Sequence, residues 1–430
     1  MKDIDIPQLK QAARYRSVRQ RSERLAAPLT PEDCQAQSMP EASPVKWHLA
    51  HTTWFFETFV LERFEPGFRP FDPSYRRLFN SYYDTVGDRH PRPLRGLLTR
   101  PTLDQVMAWR ADVDARIERL LDRAPEEVLR LVVLGCQHEQ QHQELILTDL
   151  KHLLSSSELF TAYGSLPPEQ PCDDAGAAAV DWLAVAGGRY EIGHSGSGFA
   201  FDNETPRHSV WLQPFELADR LVTHREWGEF VADGGYRDPR WWLSDGWAWR
   251  VSSDVRTPLY WQGERSDAPI FTLAGLRAPQ PDAPIVHVSY YEADAYARWR
   301  SAADPAGGPV RLPTEAEWEV AVCLHRPSPA PAPDDETAIV LHPAPVTGRG
   351  LRQLEDAVWQ WTRSGYEAYP GYRPAAGAMG EYNGKFMVNQ YVLRGGSFAT
   401  PPSHRRLTYR NFFPASARWQ FTGVRLARDG

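Results

Sequence analysis

The most informative segment of the sequence reads LVVLGCQHEQQHQELILTD (131–149). Spacing of three and four residues predicts a helix whose inward stripe holds Leu131, Gly135, His138, His142, Leu145 and Asp149. The two histidines occupy positions where apolar residues would ordinarily lie, and buried imidazoles need polar partners. Imidazoles four residues apart project from one helix face and can share a metal ion. Gly135, one turn earlier, is expected to leave space beside them.

A third ligand must come from another helix. His51, in WHLAHTTWFFETF (47–59), is the best candidate, and His48 competes with it from one turn earlier. Glu144 lies about 200° around the helix from His142, so we expect it to orient another helix or a histidine such as His48 rather than bind the metal. Three imidazoles without a thiolate suit zinc, iron, nickel and copper. The residues therefore predict a site with open coordination positions and leave the metal undetermined.

Composition excludes several classes of protein. The chain has 430 residues, 42% of them hydrophobic, which indicates roughly two or three folded domains. Its formal net charge of −7 and the lack of a long basic run argue against nucleic acid as a partner. No stretch approaches about 20 apolar residues and the N-terminus lacks a secretory apolar region, so we expect a cytoplasmic protein that does not enter a membrane. The four cysteines are Cys34, Cys136, Cys172 and Cys323. They form no CxxC pair, which argues against a disulfide framework or a cysteine–zinc site.

Residues 1–160 are typical of an antiparallel four-helix bundle. The predicted helices are 6–26, 44–65 opened by Ser43 and Pro44, a run from Thr102 as cap to Leu121, and about 125–154. A stretch rich in Pro, Ala, Ser and acidic residues follows, and we interpret 161–180 as a linker.

Residues 181–430 have a different pattern, with short apolar runs and many Gly, Pro and Trp residues. Helices are predicted only over 223–233, 290–303 and 314–322, and the remainder reads as short strands and long loops. The segment 325–337 is predicted to be an exposed loop. The overall fold class is therefore α+β.

Motifs of this second half resemble the formylglycine-generating-enzyme, or sulfatase-modifying-factor, family, a variant of the C-type lectin fold. They are GGRYEIG (187–193), DNETPRHSVWLQPFELADRLVTHREWGEFV (202–231), PIVHVSYYEADAYARW (284–299), RLPTEAEWE (311–319), VWQWT (358–362), LRGGSF (393–398) and GVRLA (423–427). The resemblance implies the fold and not the oxidase activity, which uses a copper-binding cysteine pair near the C-terminus. No cysteine follows Cys323.

The first half is similar to DinB-type bundles, and the two halves together resemble the ergothioneine-pathway sulfoxide synthase (EgtB) family. That resemblance implies a mononuclear non-haem Fe(II) held by His51, His138 and His142. It implies an O2-dependent reaction that joins a cysteine sulfur to C2 of Nα-trimethylhistidine (hercynine) and oxidises it to the sulfoxide.

The loop FNSYYDTVGDRHPRPLRGLLTRPT (79–102) resembles the active-site loop of one branch of that family. Phenol hydroxyls can donate protons, and guanidinium forks suit a carboxylate. The resemblance implies that Tyr82 and Tyr83 are catalytic proton donors and that Arg92 and Arg95 hold the carboxylate of the sulfur donor. The alternative is that the tyrosines anchor the loop and the arginines are surface charges.

The resemblance also implies residues for the histidine-derived substrate. Gln141 corresponds to a glutamine that hydrogen-bonds it, and Asn411, Phe412 and Phe413 suit a trimethylammonium group, which cannot donate hydrogen bonds. A solvated glutamine and core phenylalanines are the alternatives. The branch that uses γ-glutamylcysteine has Asp at the position of Phe413, which favours free cysteine here.

Other functions remain open. They are γ-glutamylcysteine as donor, an ovothiol-type synthase that attaches sulfur at C5 of unmethylated histidine, a DinB-type metal-dependent thiol transferase, and a non-enzymatic ligand-binding protein. The expected partners are small molecules (hercynine, cysteine and O2), and the sequence leaves open whether the chain forms a homo-oligomer.

Overall fold

The computed structural model describes residues 6–165, 179–303, 308–326, 339–374 and 378–430. The chain divides into two units. Within the described residues, the helical unit comprises 6–158 and 378–382, and the mixed unit comprises 159–165, 179–303, 308–326, 339–374 and 383–430. The predicted α+β class is confirmed. The domain bounds stay a prediction, and most of the predicted linker, Cys172 and most of 325–337 lie outside the described residues.

In the described residues, four longer helices and three short ones build the helical unit. Its helices are α1 Ile6–Ala26, α2 Pro31–Gln35, α3 Val45–Phe56, α4 Glu62–Phe64, α5 Tyr75–Leu78, α6 Leu103–Leu121 and α7 Glu126–Ser155. The four longer ones are α1, α3, α6 and α7. α1 packs on α7, and α3 packs on both α6 and α7. α6 begins as predicted, because the Thr102 side chain accepts from the Gln105 N–H while Gln105 caps Thr102 in return. Among the described helices, none is both long and apolar enough to cross a membrane.

The helix predicted over 44–65 is interrupted. Its α-helical part starts after Pro44, which has no side-chain cap, and a π-helical turn at Glu57–Leu61 separates α3 from α4. Ser43 is therefore not the cap that the sequence predicts. Its backbone N–H donates to Asp149 Oδ2 at 2.8 Å and its hydroxyl accepts from Arg95 at 2.9 Å.

α7 is buried on more sides than the predicted stripe allows. Leu131 and Leu145 are only partly buried, whereas Glu139 is fully enclosed. The Glu139 carboxylate accepts from Arg19 at 2.9 Å and from Arg110. Burial opposes its ionisation, but these two guanidinium groups hold the pKa of Glu139 at about 2. The ion pairs with Arg19 and Arg110 thus compensate the burial of the Glu139 carboxylate inside the bundle.

The space expected beside Gly135 is filled. A Cβ at this position would lie 2.4 Å from Cε1 of Phe56 and 3.0 Å from Cε1 of Phe55. Gly135 therefore allows the aromatic residues Phe55 and Phe56 of α3 to approach the backbone of α7, and these rings occupy the space that a side chain at this position would take.

Short strands and four α-helices build the described part of the mixed unit. One sheet has the order β1 Trp182–Val185, β4 Phe215–Ala218, β12 Ala427–Asp429, β7 Val310–Arg311, and a second has the order β10 Asn411–Phe413, β9 Tyr391–Arg394, β8 Trp359–Gly365, β11 Thr422–Gly423. Two hairpins pair β2 Gly188–Ile192 with β3 His208–Leu212 and β5 Ile270–Thr272 with β6 Gly275–Arg277. The helices are α8 His224–Ala232, α9 Ser244–Ser252, α10 Tyr290–Ala303 and α11 Glu315–His325.

Three of these helices match the predictions over 223–233, 290–303 and 314–322. Thr223 and Thr314 each form a capping box with a glutamate three residues later, which is why the sequence locates α8 and α11 well. α9 was missed because its sequence, SDGWAWRVS, has no side-chain cap and little helical spacing.

Candidate metal centre

The structure brings three predicted histidines together inside the helical unit. One ring nitrogen each from His51 on α3 and from His138 and His142 on α7 lie within 4.8 Å of one another. Their exposed fractions are 0%, 3% and 8%. Burial lowers the pKa of all three imidazoles, that of His138 to about 4, so each is neutral at pH 7.

The hydrogen bonds of His51 leave one nitrogen available. Its Nδ1 lies 2.7 Å from the carbonyl oxygen of Phe79. Because a carbonyl can only accept, the proton is on Nδ1 and Nε2 keeps its lone pair. That Nε2 is buried and has no hydrogen-bond partner among the described residues.

His138 has no hydrogen-bond partner in the described part of the chain on either ring nitrogen, although both are buried. Its ring lies 5.0 Å from that of Phe55. Orphaned polar atoms are costly in a protein interior. Together with Nε2 of His51 they show that the cluster fits a divalent metal ion, which would give these nitrogens a partner.

His48 lies outside the three-histidine group and contacts one of its members. Its Nδ1 lies 2.8 Å from Nδ1 of His142, and its Nε2 lies 3.1 Å from Oδ2 of Asp149. Both of its nitrogens are therefore engaged. The carboxylate that holds His48 is Asp149, and Glu144, which is buried on the same helix, lies outside the three-histidine group.

An aromatic stack connects His51 to a buried arginine. Trp47 and Trp54 both stack on the His51 ring, with centroids 4.6 and 5.5 Å away. The guanidinium carbon of Arg95 lies 3.4 Å from the centre of the Trp47 ring. This positions a guanidinium group one aromatic ring away from a candidate ligand.

The two predicted arginines differ in environment. Arg95 is 4% exposed and donates to the hydroxyls of Ser43 at 2.9 Å and Ser81 at 3.1 Å. Within the described residues it forms no ion pair with a carboxylate, and burial lowers its pKa well below the usual range. Arg92, on the same 3-10 turn, is exposed and donates to the backbone carbonyl of Glu41.

The two predicted tyrosines lie side by side. Tyr83 is buried and Tyr82 half-buried, with ring centroids 4.9 Å apart. Asn80 fixes their loop, because its amide donates to the carbonyls of Tyr83 and Gly87 at 3.0 and 2.9 Å. Burial raises the pKa of both phenols, so both carry their protons at neutral pH.

A third tyrosine was missed in the sequence. Tyr382 belongs to the helical unit although it lies more than 200 residues beyond α7 in the chain, and its hydroxyl donates to Oε1 of Gln141 at 2.7 Å. Its ring lies 5.5 Å from Tyr82 and 6.3 Å from His138.

The residue before Tyr382 ties the same loop in place. The carboxylate of Glu381 accepts from the backbone N–H groups of Asp84 and Thr85 at 2.9 and 3.1 Å. The only signal in the sequence is that Glu381 and Tyr382 stand between the motifs VWQWT (358–362) and LRGGSF (393–398), in a stretch to which the sequence assigned no role.

The remaining predicted residues, Asn411, Phe412 and Phe413, form β10 of the mixed unit and are partly buried. Phe412 stacks on Tyr366 with centroids 4.0 Å apart, and Phe413 lies 5.9 Å from Trp419. Phe412 and Phe413 thus each contact another aromatic ring of the same unit.

Two family models match the chain. The DinB superfamily model matches residues 14–146, and the sulfatase-modifying factor enzyme 1-like domain matches residues 169–324 and 336–430. The first covers the helices that carry the three histidines, and the second covers the mixed unit.

Three curated relatives are similar to this chain. The hercynine oxygenase of Mycolicibacterium thermoresistibile is 32% identical over 92% of this chain and 90% of its own length. That of Mycolicibacterium smegmatis is 32% identical over 91% of this chain and 92% of its own. Ergothioneine biosynthesis protein 1 of Schizosaccharomyces pombe is 25% identical over 54% of this chain and 28% of its own. The identity and coverage of the first two show that the chain is an enzyme of the hercynine oxygenase family.

Proposed function

We propose that this protein is a non-haem Fe(II) sulfoxide synthase. It would use O2 to join the sulfur of cysteine to C2 of hercynine. The C2–H and S–H bonds break, the C–S bond forms, one oxygen atom enters the sulfoxide and the other leaves as water. The observation that carries the proposal is the buried three-histidine cluster with orphaned nitrogens, in a chain that aligns over 92% of its length with a hercynine oxygenase.

His51, His138 and His142 would hold the metal. Three neutral imidazoles would leave the metal's double positive charge uncompensated and some of its coordination positions open. Bound Fe(II) would supply the electrons that activate O2. The protein's part is to keep the three imidazoles neutral, which burial does by lowering each pKa.

Arg95 is the residue that we assign first to the carboxylate of the sulfur donor. A buried guanidinium without an ion pair among the described residues is costly, and a substrate carboxylate would compensate it. Its two serine contacts orient the fork. Arg92 would act from the exposed side of the same turn, as an added positive charge.

Tyr82 and Tyr83 would supply protons to reduced oxygen, since their raised pKa values keep both phenols protonated. Gln141 would bind the imidazole of hercynine, with its amide oriented by the hydroxyl of Tyr382. Asn411, Phe412 and Phe413 would recognise the trimethylammonium group through aromatic faces and an amide oxygen. Phe413 in place of an acidic residue favours free cysteine over γ-glutamylcysteine.

Anaerobic reconstitution tests the proposal. Apo protein is loaded with Fe(II), then given hercynine, cysteine and O2, and products are identified by mass spectrometry and NMR. We expect the C2 sulfoxide from cysteine, less from γ-glutamylcysteine, and none from protein loaded with Zn(II). His138→Ala should lose metal and turnover together.

The alternatives correspond to distinct results. Sulfur at C5 of unmethylated histidine would indicate an ovothiol-type synthase, and O2-independent activity of the zinc form would indicate a thiol transferase. No turnover with either donor, in protein that holds one equivalent of Fe(II), would contradict the proposal.

A further inference from the structure

The three candidate ligands are not supported in the same way. His51 donates to a backbone carbonyl, His138 has no partner among the described residues, and His142 contacts His48. Among the described residues, His142 is therefore the only one of the three candidate ligands whose ring forms a hydrogen bond with another side chain.

The direction of these hydrogen bonds follows from Asp149. A carboxylate oxygen accepts, so the proton between His48 and Asp149 belongs to Nε2 of His48. Nδ1 of a neutral His48 must then be the acceptor, and the proton shared with His142 belongs to Nδ1 of His142. This leaves the lone pair of His142 on Nε2. In free histidine the opposite tautomer, with the proton on Nε2, is preferred.

The carboxylate of Asp149, at the far end of this series of hydrogen bonds, is itself held in place. Oδ2 of Asp149 also accepts from the backbone N–H of Ser43 at 2.8 Å, just before α3 begins. Asp149 is 4% exposed and His48 2%. The hydrogen bonds that run from Ser43 through Asp149 and His48 to His142 therefore join the start of α3 to α7. These are the two helices that carry the candidate ligands.

We propose that Asp149 and His48 are positioning residues that fix the tautomer and orientation of His142 for metal binding. The inference rests on the proposed metal centre and is independent of which substrates the enzyme uses. Loss of partners that orient metal-bound histidines typically costs 10–100-fold in metal affinity, and we expect His48→Leu to fall in that range.

The first experiment uses the apo protein with its full chain. Imidazole ¹⁵N NMR of histidine-labelled protein reports which ring nitrogen carries the proton, and a His142→Gln variant assigns the signals. We expect His142 to carry its proton on Nδ1 in the wild type. In His48→Leu the acceptor is lost, so the signal should move towards the tautomer preferred by free histidine. Wild-type His142 protonated on Nε2 would overturn the proposal without reference to any variant.

The second experiment measures Fe(II) affinity anaerobically by competition with a chromogenic chelator. His48→Leu should weaken binding about 10–100-fold. Asp149→Asn should weaken it less, because an amide oxygen can replace Oδ2 as acceptor for both His48 and Ser43 while the charge is lost. His152→Leu is the matched control, since this histidine lies on α7 and bonds to Ser38 instead of to a candidate ligand.

The outcomes separate this inference from the proposed function. If the wild type makes no sulfoxide but His48→Leu weakens Fe(II) binding and His152→Leu does not, the proposed function is wrong and the positioning role of His48 is supported. If sulfoxide forms but His48→Leu binds Fe(II) as tightly as the wild type, the positioning role is wrong and the proposed function is supported.

Discussion

Replacing Arg95 by methionine should reduce catalysis with cysteine far more than it changes folding. Methionine keeps an unbranched apolar side chain against Trp47 and removes the guanidinium. If Arg95 forms two charge-assisted hydrogen bonds with the donor carboxylate, their loss costs about 3 kcal/mol. That corresponds to a fall of about 150-fold in kcat/KM for cysteine.

The folded apo protein should be affected less, because two effects oppose each other. The substitution removes a cation–π contact and two hydrogen bonds to serine hydroxyls, each worth about 1 kcal/mol. It also removes a buried charge that has no carboxylate partner among the described residues, and the burial of such a charge is itself unfavourable. We therefore expect the melting temperature of the apo protein to move by no more than about 4 °C.

The assay is steady-state sulfoxide formation with saturating hercynine and varied cysteine, alongside thermal unfolding. Added cysteine should raise the melting temperature of the wild type and not that of Arg95→Met, because a ligand stabilises only the protein that binds it. Arg89→Met, an exposed arginine of the same loop, is the control. An Arg95→Met enzyme with unchanged kcat/KM for cysteine would refute the assignment, as would a large loss of stability with KM unaltered.

Three further predictions follow from the helical unit. Gly135→Ala should destabilise the apo protein by about 1 kcal/mol in denaturant unfolding, because overpacking against the buried Phe56 ring outweighs the helix propensity gained. Adding Phe56→Leu should restore part of the lost free energy of unfolding. An alanine variant more stable than the wild type would contradict this reasoning. Tyr382→Phe should raise KM for hercynine several-fold and leave Fe(II) affinity unchanged, because the hydroxyl that it removes donates to the amide oxygen of Gln141. Weaker Fe(II) binding would count against that role. Burial lowers the pKa of His138 from 6.5 to about 4, so the unfolded chain binds more protons than the folded chain over this range. The contribution of His138 to apo stability should therefore fall by about 3 kcal/mol as pH drops from 6.5 to 4. His138→Gln should lose that part of the pH dependence in urea titrations.

The sequence predicted features that local chemistry determines. Thr102 with Gln105, and Thr314 with Glu317, place the starts of two helices because each pair satisfies its own backbone N–H groups. The spacing of the histidines on α7 likewise places their rings on one face without knowledge of the neighbouring helices.

Features that depend on other segments could not be predicted in this way. The acceptor that fixes His51 is the carbonyl of Phe79, and a backbone carbonyl has no signature in the sequence. Tyr382 contacts Gln141 across 241 positions of chain, so no local pattern indicates the pair. The role of Gly135 was misread because the sequence shows that a side chain is missing but not which ring takes its place.

Ser43 connects the two functional parts of the helical unit. Its backbone N–H donates to the carboxylate of Asp149, which is linked through His48 to His142 by hydrogen bonds. Its hydroxyl accepts from Arg95, the residue that we assign to the donor carboxylate. The backbone bond does not depend on the side chain, whereas the hydroxyl bond does. The proposed metal support and the proposed donor site thus meet at one residue through separable atoms, and a change in the position of the start of α3 would alter both hydrogen bonds. Ser43 is thus buried and engaged twice, where the sequence alone predicted a simple helix cap.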